Sequence, residues 1–410
     1  MRVAIVHDYL REYGGAERVV EAIHELWPEA PLYTSFMDWQ ALGIHADRFK
    51  HWNIRTVETS IPGILRIPGI WILRKFHSPL RFLAPKIWES FDLHGYDVVI
   101  SSSGWFMCRG VKVFEPTVHI CYIHHPPRNL YGYATGSDIQ KYAIVRAYSH
   151  VVNFFLRHYD FETAQKVDYF VANSKETARR VRKFYRREST VIYPPVDVGI
   201  GDKGKGISKA KHLSRITSHV SPKSYFLSVG RLSWSKRVDL AIDACNTLAL
   251  PLKVVGAGKE ETKLRSIAGS TIEFIGGVTD EALSQLYQGA KALIFTALDE
   301  DFGIVPVEAM RHGTPVIALG KGGVLETVID GKTGFLFHKP ETHELIITLK
   351  RFIKYSDNTY HRSVMEQACR RQAAKFGKEK FQKAFRSFVE KQYTRIIRSS
   401  GASQARSKTV

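Results

Sequence analysis

The feature that most constrains this chain is an alternation of short apolar runs with amphipathic segments of helix length, which occurs twice along 410 residues. Such alternation is typical of parallel β-sheets, because each crossover helix covers one face of the sheet. It predicts two groups of strands, Arg2–Val6, Val98–Ser101, His119–Ile123, Tyr169–Ala172 and Thr190–Tyr193, then Tyr225–Val229, Leu252–Val255, Ile272–Ile275, Ala292–Phe295 and Pro315–Ala318. The sequence therefore predicts an α/β protein with two Rossmann-like, doubly wound domains.

Helices are predicted between these strands, at Ala16–Leu26, Lys175–Phe184, Arg237–Cys245, Glu260–Ile267, Asp280–Gln288 and Val305–Arg311. Differences in composition along the chain indicate the domain boundaries. We predict a first domain at 1–198, a flexible basic linker rich in Gly, Lys and Ser at 199–221, and a second domain at 222–375. Apolar residues at helical spacing predict a further helix at 376–398, and the polar residues 399–410 are predicted to be a disordered tail.

The formal charge of +19 predicts an anionic partner. Residues 201–220 hold five basic residues and one acidic residue, and residues 376–410 hold nine and two, so +11 of the excess lies in the linker and tail. A nucleic-acid-binding protein usually carries its cations on a folded face with interleaved aromatic residues. We therefore expect a nucleotide or an acidic membrane surface as partner, and no nucleic acid.

The four cysteines, Cys108, Cys121, Cys245 and Cys369, are scattered, without metal-ligand spacing. Isolated buried thiols in a reducing compartment are expected. The apolar start of the chain is too short for a signal peptide, and no apolar run approaches the ~18 residues that span a bilayer. These patterns predict a cytoplasmic protein, with peripheral contact to a membrane left open.

Glycine-rich loops follow several predicted strands. Gly14 and Gly15 open the first helix, where backbone N–H groups can face a phosphate, although a tight turn explains the pair equally well. Gly256 and Gly277 with Val278 follow later strands, where small residues let a backbone approach a ligand or merely make a turn.

Arg231 and Lys236 lie between a strand and a helix of the second domain, with a third cation at Arg237. A guanidinium fork, a mobile ammonium group and a helix N-terminus together suit a diphosphate. A solvated basic loop is the alternative. Because these cations match the diphosphate charge and no carboxylate pair has Mg²⁺-like spacing, we predict activity without a metal or other cofactor.

Glu300 and Glu308 are separated by seven residues, with Pro306 suited to the first turn of a helix between them. Carboxylates at a helix N-terminus can accept hydrogen bonds from the vicinal hydroxyls of sugars and ribose. They can also simply complement the helix dipole. A metal site formed by the consecutive Asp299, Glu300 and Asp301 is disfavoured, because neighbouring side chains seldom converge on one ion.

His124 and His125 directly follow a strand of the first domain, where open α/β sheets bind ligands. A histidine there can act as a base or orient a substrate. Taken without the other motifs, a hydrogen-bonded structural histidine is the favoured alternative.

Taken together, these motifs resemble retaining glycosyltransferases of family 4, which have the GT-B fold of two Rossmann-like domains facing across a cleft. The resemblance spans Met1 to about Arg398 and rests on the following elements: Gly14-Gly15, the segment Tyr122–Pro126, Arg231 with Lys236, the Glu300-x7-Glu308 element, Gly313–Ala318 and Gly322-Gly323. The opening Val6–Tyr9 and the stretch around His124 are most similar to mannosyltransferases of surface-polysaccharide assembly.

This resemblance implies a function and a set of roles. It implies transfer of a hexose with retention of configuration, with GDP-mannose as the favoured donor, a UDP-sugar as the second choice, and a saccharide or polyprenol-linked or other lipid-linked saccharide as acceptor. Arg231 and Lys236 would hold the diphosphate, Glu308 the ribose, and Glu300 the donor sugar. Backbone groups of Phe302, Gly303 and Ile304 would also contact the sugar, Gly15 the distal phosphate, and Gly277-Val278 the base, while His124 would lie beside the sugar and acceptor. The helix at 376–398 would cross back to the first domain.

Two other functions share parts of this pattern. A nonhydrolysing nucleotide-sugar epimerase would have the same fold, but needs carboxylates arranged for proton abstraction, and no recognisable setting for them is present. A nucleic-acid-binding protein is the alternative that the net charge raises.

The segment Ile61–Trp88 combines basic residues with large apolar ones and contains no acidic residue. Four prolines divide it into pieces too short to span a bilayer. Such pieces can lie in the headgroup region of an anionic membrane, or they can belong to the core of the first domain.

Overall fold

A computed structural model describes residues 1–57, 79–135, 142–196 and 224–407. The chain divides into two compact units. One unit comprises Met1–Tyr133, Tyr142–Pro195 and Lys378–Val410, and the other comprises Ala134–Lys141 and Val196–Gly377. The chain therefore returns to its first unit after completing the second. The predicted linker, 199–221, lies outside the described residues.

The first unit is built on a seven-stranded parallel sheet. Its strands are β1 Val3–His7, β2 Leu32–Thr34, β3 Ile54–Thr56, β4 Val98–Ser103, β5 Val118–Ile123, β6 Tyr169–Ala172 and β7 Ser189–Val191. Their order is β3-β2-β1-β4-β5-β6-β7, and Ile5 of β1 pairs with Leu32 on one side and Ile100 on the other. Every residue of β1, β4 and β5 is buried, as expected for strands covered on both faces.

In the described part of this unit, five helices precede the last strand. They are α1 Gly15–His24, α2 Trp39–Leu42, α3 Ala84–Glu89, α4 Ala143–Lys166 and α5 Lys175–Tyr185. The side chain of Ser174 caps α5 by accepting a hydrogen bond from the backbone N–H of Thr177 at 3.0 Å. Ser174 is therefore the N-cap of this helix.

The second unit contains a six-stranded parallel sheet in the order β10-β9-β8-β11-β12-β13. Its strands are β8 Tyr225–Val229, β9 Leu252–Val255, β10 Ile272–Gly276, β11 Ala290–Phe295, β12 Val316–Leu319 and β13 Gly334–Phe337. Its helices are α6 Val238–Thr247, α7 Glu261–Ile267, α8 Asp280–Gly289, α9 Ile304–Arg311, α10 Val324–Thr327, α11 Thr342–Ser356 and α12 Thr359–Ala373.

Both sheets reverse their strand order in the middle, between β1 and β4 in the first and between β8 and β11 in the second. Loops leave these neighbouring strands in opposite directions and open a crevice at the carboxyl ends, where doubly wound sheets bind ligands. The two predicted doubly wound sheets are confirmed, and the topology marks one crevice in each.

The C-terminal helix, α13 Lys378–Ser407, packs on the first unit. Its Phe381, Phe385 and Val389 are buried in the same core as β1, and both phenylalanine rings lie within 6 Å of the Tyr122 ring. Helix α13 also continues through Ser407, so the prediction of a disordered tail from residue 399 is wrong up to that residue. The added residues contain no proline and little β-branching, and extending an existing helix costs far less than starting one.

Among the described residues, nine elements escaped the sequence analysis: β2, β3, β13, α2, α3, α4, α10, α11 and α12. Strands β2 and β3 have three residues each, too few for a periodic pattern. Helix α4 has 24 residues but lacks the usual separation of apolar and polar faces, because large apolar side chains also lie on its exposed side.

The Ile61–Trp88 segment is described only towards its C-terminal end, because residues 61–78 lie outside the described residues. At that end, Ile87 and Trp88 are buried in the core of the first unit, and Trp88 Nε1 donates to the carbonyl of Phe106 at 2.6 Å. At Ile87 and Trp88 the core alternative therefore holds, and contact of the segment with a membrane stays a hypothesis.

Candidate functional site

The loop after β8 carries the predicted cations of the second unit. Arg231 is exposed, and Lys236 ends a short 3₁₀ turn before α6. Two hydrogen bonds fix this loop to the chain that follows β11. The backbone N–H of Leu298 donates to Ser235 O at 2.8 Å, and the hydroxyl of Thr296 donates to Lys236 O at the same distance. The loops at the switch point of the second sheet are therefore joined.

Lys236 and Glu300 meet at this switch point. Their Nζ and Oε2 atoms lie 2.6 Å apart, and the two side chains are 29% and 17% exposed. The sequence predicted both residues for the site, although 64 positions separate them. A partly solvated ion pair at the ends of adjacent strands places a cation and a hydroxyl-accepting carboxylate side by side, the combination that a sugar diphosphate needs.

Glu308 occupies α9 and is only 4% exposed. Its Oε2 accepts a hydrogen bond from the hydroxyl of Tyr287 at 3.0 Å, and the Tyr287 ring stacks on His312. The second predicted glutamate is thus held by a tyrosine from α8. Sequence reasoning missed Tyr287, because no local motif marks a contact formed by two helices that pack together.

The glycine turns of the second unit are connected along one edge of the sheet. The Gly230 N–H donates to Val255 O at 3.0 Å, and the Gly256 N–H donates to Gly276 O at 2.8 Å. Gly256 has φ +123°, and a Cβ at this position would lie 2.0 Å from Gly230 O. The absence of a side chain at Gly256 is therefore required by the protein's own backbone.

The remaining predicted donor-binding residues differ in surroundings. Gly277 is exposed, a Cβ added there would meet nothing within 4 Å, and Val278 beside it is half-buried. Phe302 is buried against Phe376, with ring centroids 5.3 Å apart. Gly303 has φ +90° and is the N-cap of α9, which Ile304 begins, so the backbone of this turn stands at the helix N-terminus.

The acidic run before α9 does not converge. Asp299 forms an ion pair with Lys321 at 2.9 Å and accepts a hydrogen bond from the Ala134 N–H, whereas Glu300 contacts Lys236. Across the described ranges, no three His, Cys, Asp or Glu side chains are grouped as metal ligands.

The predicted residues of the first unit, Gly14, Gly15 and His124, are linked by a buried network. Gly14 N–H donates to Glu17 Oε2 at 2.8 Å, and Glu17 Oε1 lies 3.5 Å from His7 Nε2. His7 Nδ1 lies 3.2 Å from Ser102 Oγ, which lies 2.7 Å from His124 Nε2. Gly15 begins α1 beside this network.

Three members of this network, His7, Glu17 and Ser102, are not marked as site residues by the sequence. His7 ends β1 and Ser102 lies near the end of β4, so they come from the two strands that flank the switch point of the first sheet. The sequence shows that these residues follow or end apolar runs. It does not show that β1 and β4 are neighbours in the sheet.

The two histidines have opposite pKa shifts. Burial would lower the pKa of His7, but the hydrogen bond and charge of Glu17, with Asp8, outweigh burial and raise it. Burial lowers the pKa of His124 well below its usual value, and positive charge on His7 and His125 lowers it further. His124 is therefore neutral near pH 7, and His7 carries the charge more readily.

The His7→Gln variant tests this coupling. Removing the repelling charge should raise the pKa of His124, although burial keeps it below about 6.5. The pKa is measured by NMR titration of labelled imidazole groups. The His343→Gln variant, which changes an exposed histidine of the second unit, should leave it unchanged. An unaltered His124 pKa in His7→Gln would show that the two rings are not coupled.

Two family models match this chain. Glycosyltransferase Family 4 matches residues 13–199, and Glycosyl transferases group 1 matches residues 211–372. The chain is a glycosyltransferase family 4-like protein of the GT-B fold. The predicted two-domain GT-B class is thereby confirmed, and the epimerase and nucleic-acid-binding alternatives are not favoured.

Solved structures resemble this family 4-like protein over nearly its whole length. Anabaena Alr3699/HepE, in complex with UDP and glucose, has a TM-score of 0.67 at 19% identity, covering 95% of this chain and 99% of its own. Sucrose-phosphate synthase from Thermosynechococcus elongatus has a TM-score of 0.69 at 17% identity, covering 96% and 100%. At these identities the likeness shows the fold.

Among curated relatives, the alpha-1,3/1,6-mannosyltransferase ALG2 of Dictyostelium discoideum is 26% identical over 281 residues. The match covers 60% of the family 4-like chain and 64% of the relative. For two further relatives, the matched share of the relative's length is 41% and 49%.

Proposed function

We propose that this protein is a retaining hexosyltransferase that moves a sugar from a nucleotide-sugar donor to a saccharide acceptor. The observation that carries this proposal is the Lys236–Glu300 contact at the switch point of the second sheet. It combines, in one place, a cation for a leaving diphosphate and a carboxylate for sugar hydroxyls. The two family models support the same class of activity.

In this proposal the second unit binds the donor. Lys236 and the exposed Arg231 neutralise the diphosphate as the glycosidic bond breaks, Glu300 accepts hydrogen bonds from the sugar, and Glu308 accepts them from the ribose. Tyr287 already donates to one oxygen of Glu308 and so fixes the carboxylate before the ribose binds. A carboxylate held in advance loses less entropy when the ligand binds.

The first unit is proposed to act on the sugar and acceptor through His124. Its low pKa leaves a neutral imidazole, and Ser102 occupies Nε2. A neutral ring with one nitrogen held by a hydroxyl can orient a sugar hydroxyl through the other nitrogen. His7 and Glu17 position this arrangement through Ser102.

The favoured donor is GDP-mannose, supported by the similarity to an ALG2 mannosyltransferase. A UDP-sugar is the second choice, supported by the fold likeness to a protein solved with UDP and glucose. We propose a polyprenol-linked or other lipid-linked saccharide as acceptor, reached by a cytoplasmic enzyme at the inner face of the cell membrane. The excess of positive charge suits an anionic surface there.

A thermal-shift panel of GDP-, UDP- and ADP-sugars tests the proposal. A ligand that binds only the folded protein raises its apparent melting temperature, so GDP-mannose should give the largest shift. Proton NMR of the product, formed with a lipid-linked saccharide acceptor, then reports whether the anomeric configuration is retained. If the sugar of the donor were converted to its epimer in the absence of acceptor, the protein would be an epimerase. If no nucleotide sugar raised the melting temperature above that of the protein alone, the whole assignment would be contradicted.

Metal independence is a separate prediction. Because two cations are available for the diphosphate, turnover should survive EDTA with little change. The measurement is the initial rate of transfer before and after chelation, and again after Mg²⁺ or Mn²⁺ is added. Loss of activity that either metal restores would contradict this prediction while leaving the transferase assignment intact.

A further inference from the structure

Helix α4 exposes a row of large apolar side chains near its N-terminus. Ile144, Tyr148, Val151 and Phe155, which we call the α4 stripe, are 84%, 37%, 58% and 67% exposed. Their spacing of four, three and four residues places them on one face of the helix, over a length of about 16 Å. Phe154, 64% exposed, lies beside them. A contiguous apolar surface of this kind marks an interaction site.

The exposed stripe lies on a helix whose opposite side is packed into the first unit. Asp160 of α4 forms a fully buried ion pair with Arg109 and accepts a hydrogen bond from Tyr131 at 2.7 Å. Leu156 is buried in the core, and Asn153 accepts a hydrogen bond from Arg81. One side of α4 is therefore fixed to the unit while the stripe faces outward.

The charge of α4 indicates the kind of partner that the stripe binds. Residues 142–159 contain no acidic side chain. Arg146, His150 and Arg157 form a second exposed row on the same helix, about 150° round the helix axis from the stripe. Large apolar side chains on one face and cations on the polar face are typical of helices that lie in the headgroup region of anionic bilayers.

We propose that the α4 stripe is the surface by which this protein docks on an anionic membrane. The helix lies in the plane of the interface, with the stripe inserted and the two arginines at the level of the headgroups. Pairing of two copies through this surface is disfavoured, because it would also bring the cations of both copies together, and residues 142–159 offer no carboxylate to pair with them. Within the described part of the chain, no helix is long and apolar enough to span a bilayer.

This inference deepens the membrane association included in the proposed function, but its test does not depend on transferase activity. Flotation is measured without donor or acceptor. An inactive protein that floats would leave the docking surface intact, and an active protein that never floats would overturn the docking surface alone.

The full-length protein is mixed with vesicles of phosphatidylcholine, or of phosphatidylcholine with phosphatidylglycerol, at low and high salt. We expect flotation with the anionic vesicles and a marked decrease at high salt. The Ile144→Ser, Val151→Ser, Phe155→Ser triple variant should lower the apparent partition coefficient about tenfold or more, because each large apolar group that leaves water contributes strongly.

A matched control changes three exposed apolar residues of the second unit, Ile347→Ser, Tyr360→Ser and Val364→Ser, and should float like the wild type. Circular dichroism and the melting temperature check that each variant is folded. Arg146→Gln with Arg157→Gln should remove most of the salt dependence. Wild-type flotation of the α4 triple variant, or flotation of neither protein, would overturn the proposal. So would a wild-type dimer that the triple variant dissociates without any vesicle binding.

Discussion

Replacing Lys236 with alanine is expected to lower kcat about 10²- to 10³-fold, the usual effect of removing one group that stabilises developing charge in a transition state. The Arg231→Ala, Lys236→Ala double variant should lose more. Because Lys236 is partly exposed, its ion pair with Glu300 adds little to stability, so the fold should survive the change. Single-turnover kinetics with the preferred nucleotide sugar measure the effect on the chemical step.

Two further variants separate this role from a general effect of charge. Lys236→Arg keeps the cation and should retain more activity than Lys236→Ala. Arg265→Ala removes an exposed cation that pairs with Glu261 on α7, and its kcat should equal that of the wild type. If the Arg231→Ala, Lys236→Ala variant is fully active, the proposed assignment of the diphosphate site is wrong.

Replacing Gly256 with alanine is expected to destabilise the second unit by about 3 kcal/mol or more, among the larger effects of a single methyl group. The new Cβ would lie 2.0 Å from the carbonyl oxygen of Gly230, and neither backbone can move without breaking hydrogen bonds between neighbouring loops. The positive φ of +123° adds strain for any residue with a side chain. Denaturant unfolding of the full-length protein measures the loss.

Gly277→Ala is the matched control. Nothing lies within 4 Å of the position its Cβ would take, so the free energy of unfolding should not change measurably. Since Gly277 is proposed to line the nucleotide base, the same variant should raise the KM for donor. Equal stability of Gly256→Ala and wild type would show that the loop at Gly230 moves freely, contrary to its close packing against Gly256.

Gly256 and Gly277 also show that the same sequence pattern can have different structural causes. In the sequence, Gly256 and Gly277 both follow predicted strands, and both suit a place where a backbone approaches a ligand. In the structure the close approach at Gly256 is to Gly230, because the loops after β8 and β9 pack together. Of the two, Gly277 alone leaves open space for a ligand.

The sequence by itself determined the architecture and the positions of the principal charged residues of the proposed donor site. Periodicity predicted both doubly wound sheets, because a strand buried on both faces must be apolar throughout and a crossover helix must be amphipathic. The position of Lys236 and Glu300 after their strands was equally readable. Residues at the carboxyl ends of neighbouring parallel strands meet at one edge, so the 2.6 Å contact between Lys236 and Glu300 forms once the fold places β8 beside β11.

Tertiary structure alone decided which side chains support that site and which surface stays exposed. Glu308 meets Tyr287, and His7 meets Ser102, only because distant elements pack together, and such pairings leave no periodic trace in the chain. Likewise, the sequence does not distinguish an apolar residue that is buried, such as Trp88, from one that is exposed, such as Phe155. Burial depends on what covers a side chain, which is a property of the folded molecule and not of the residue.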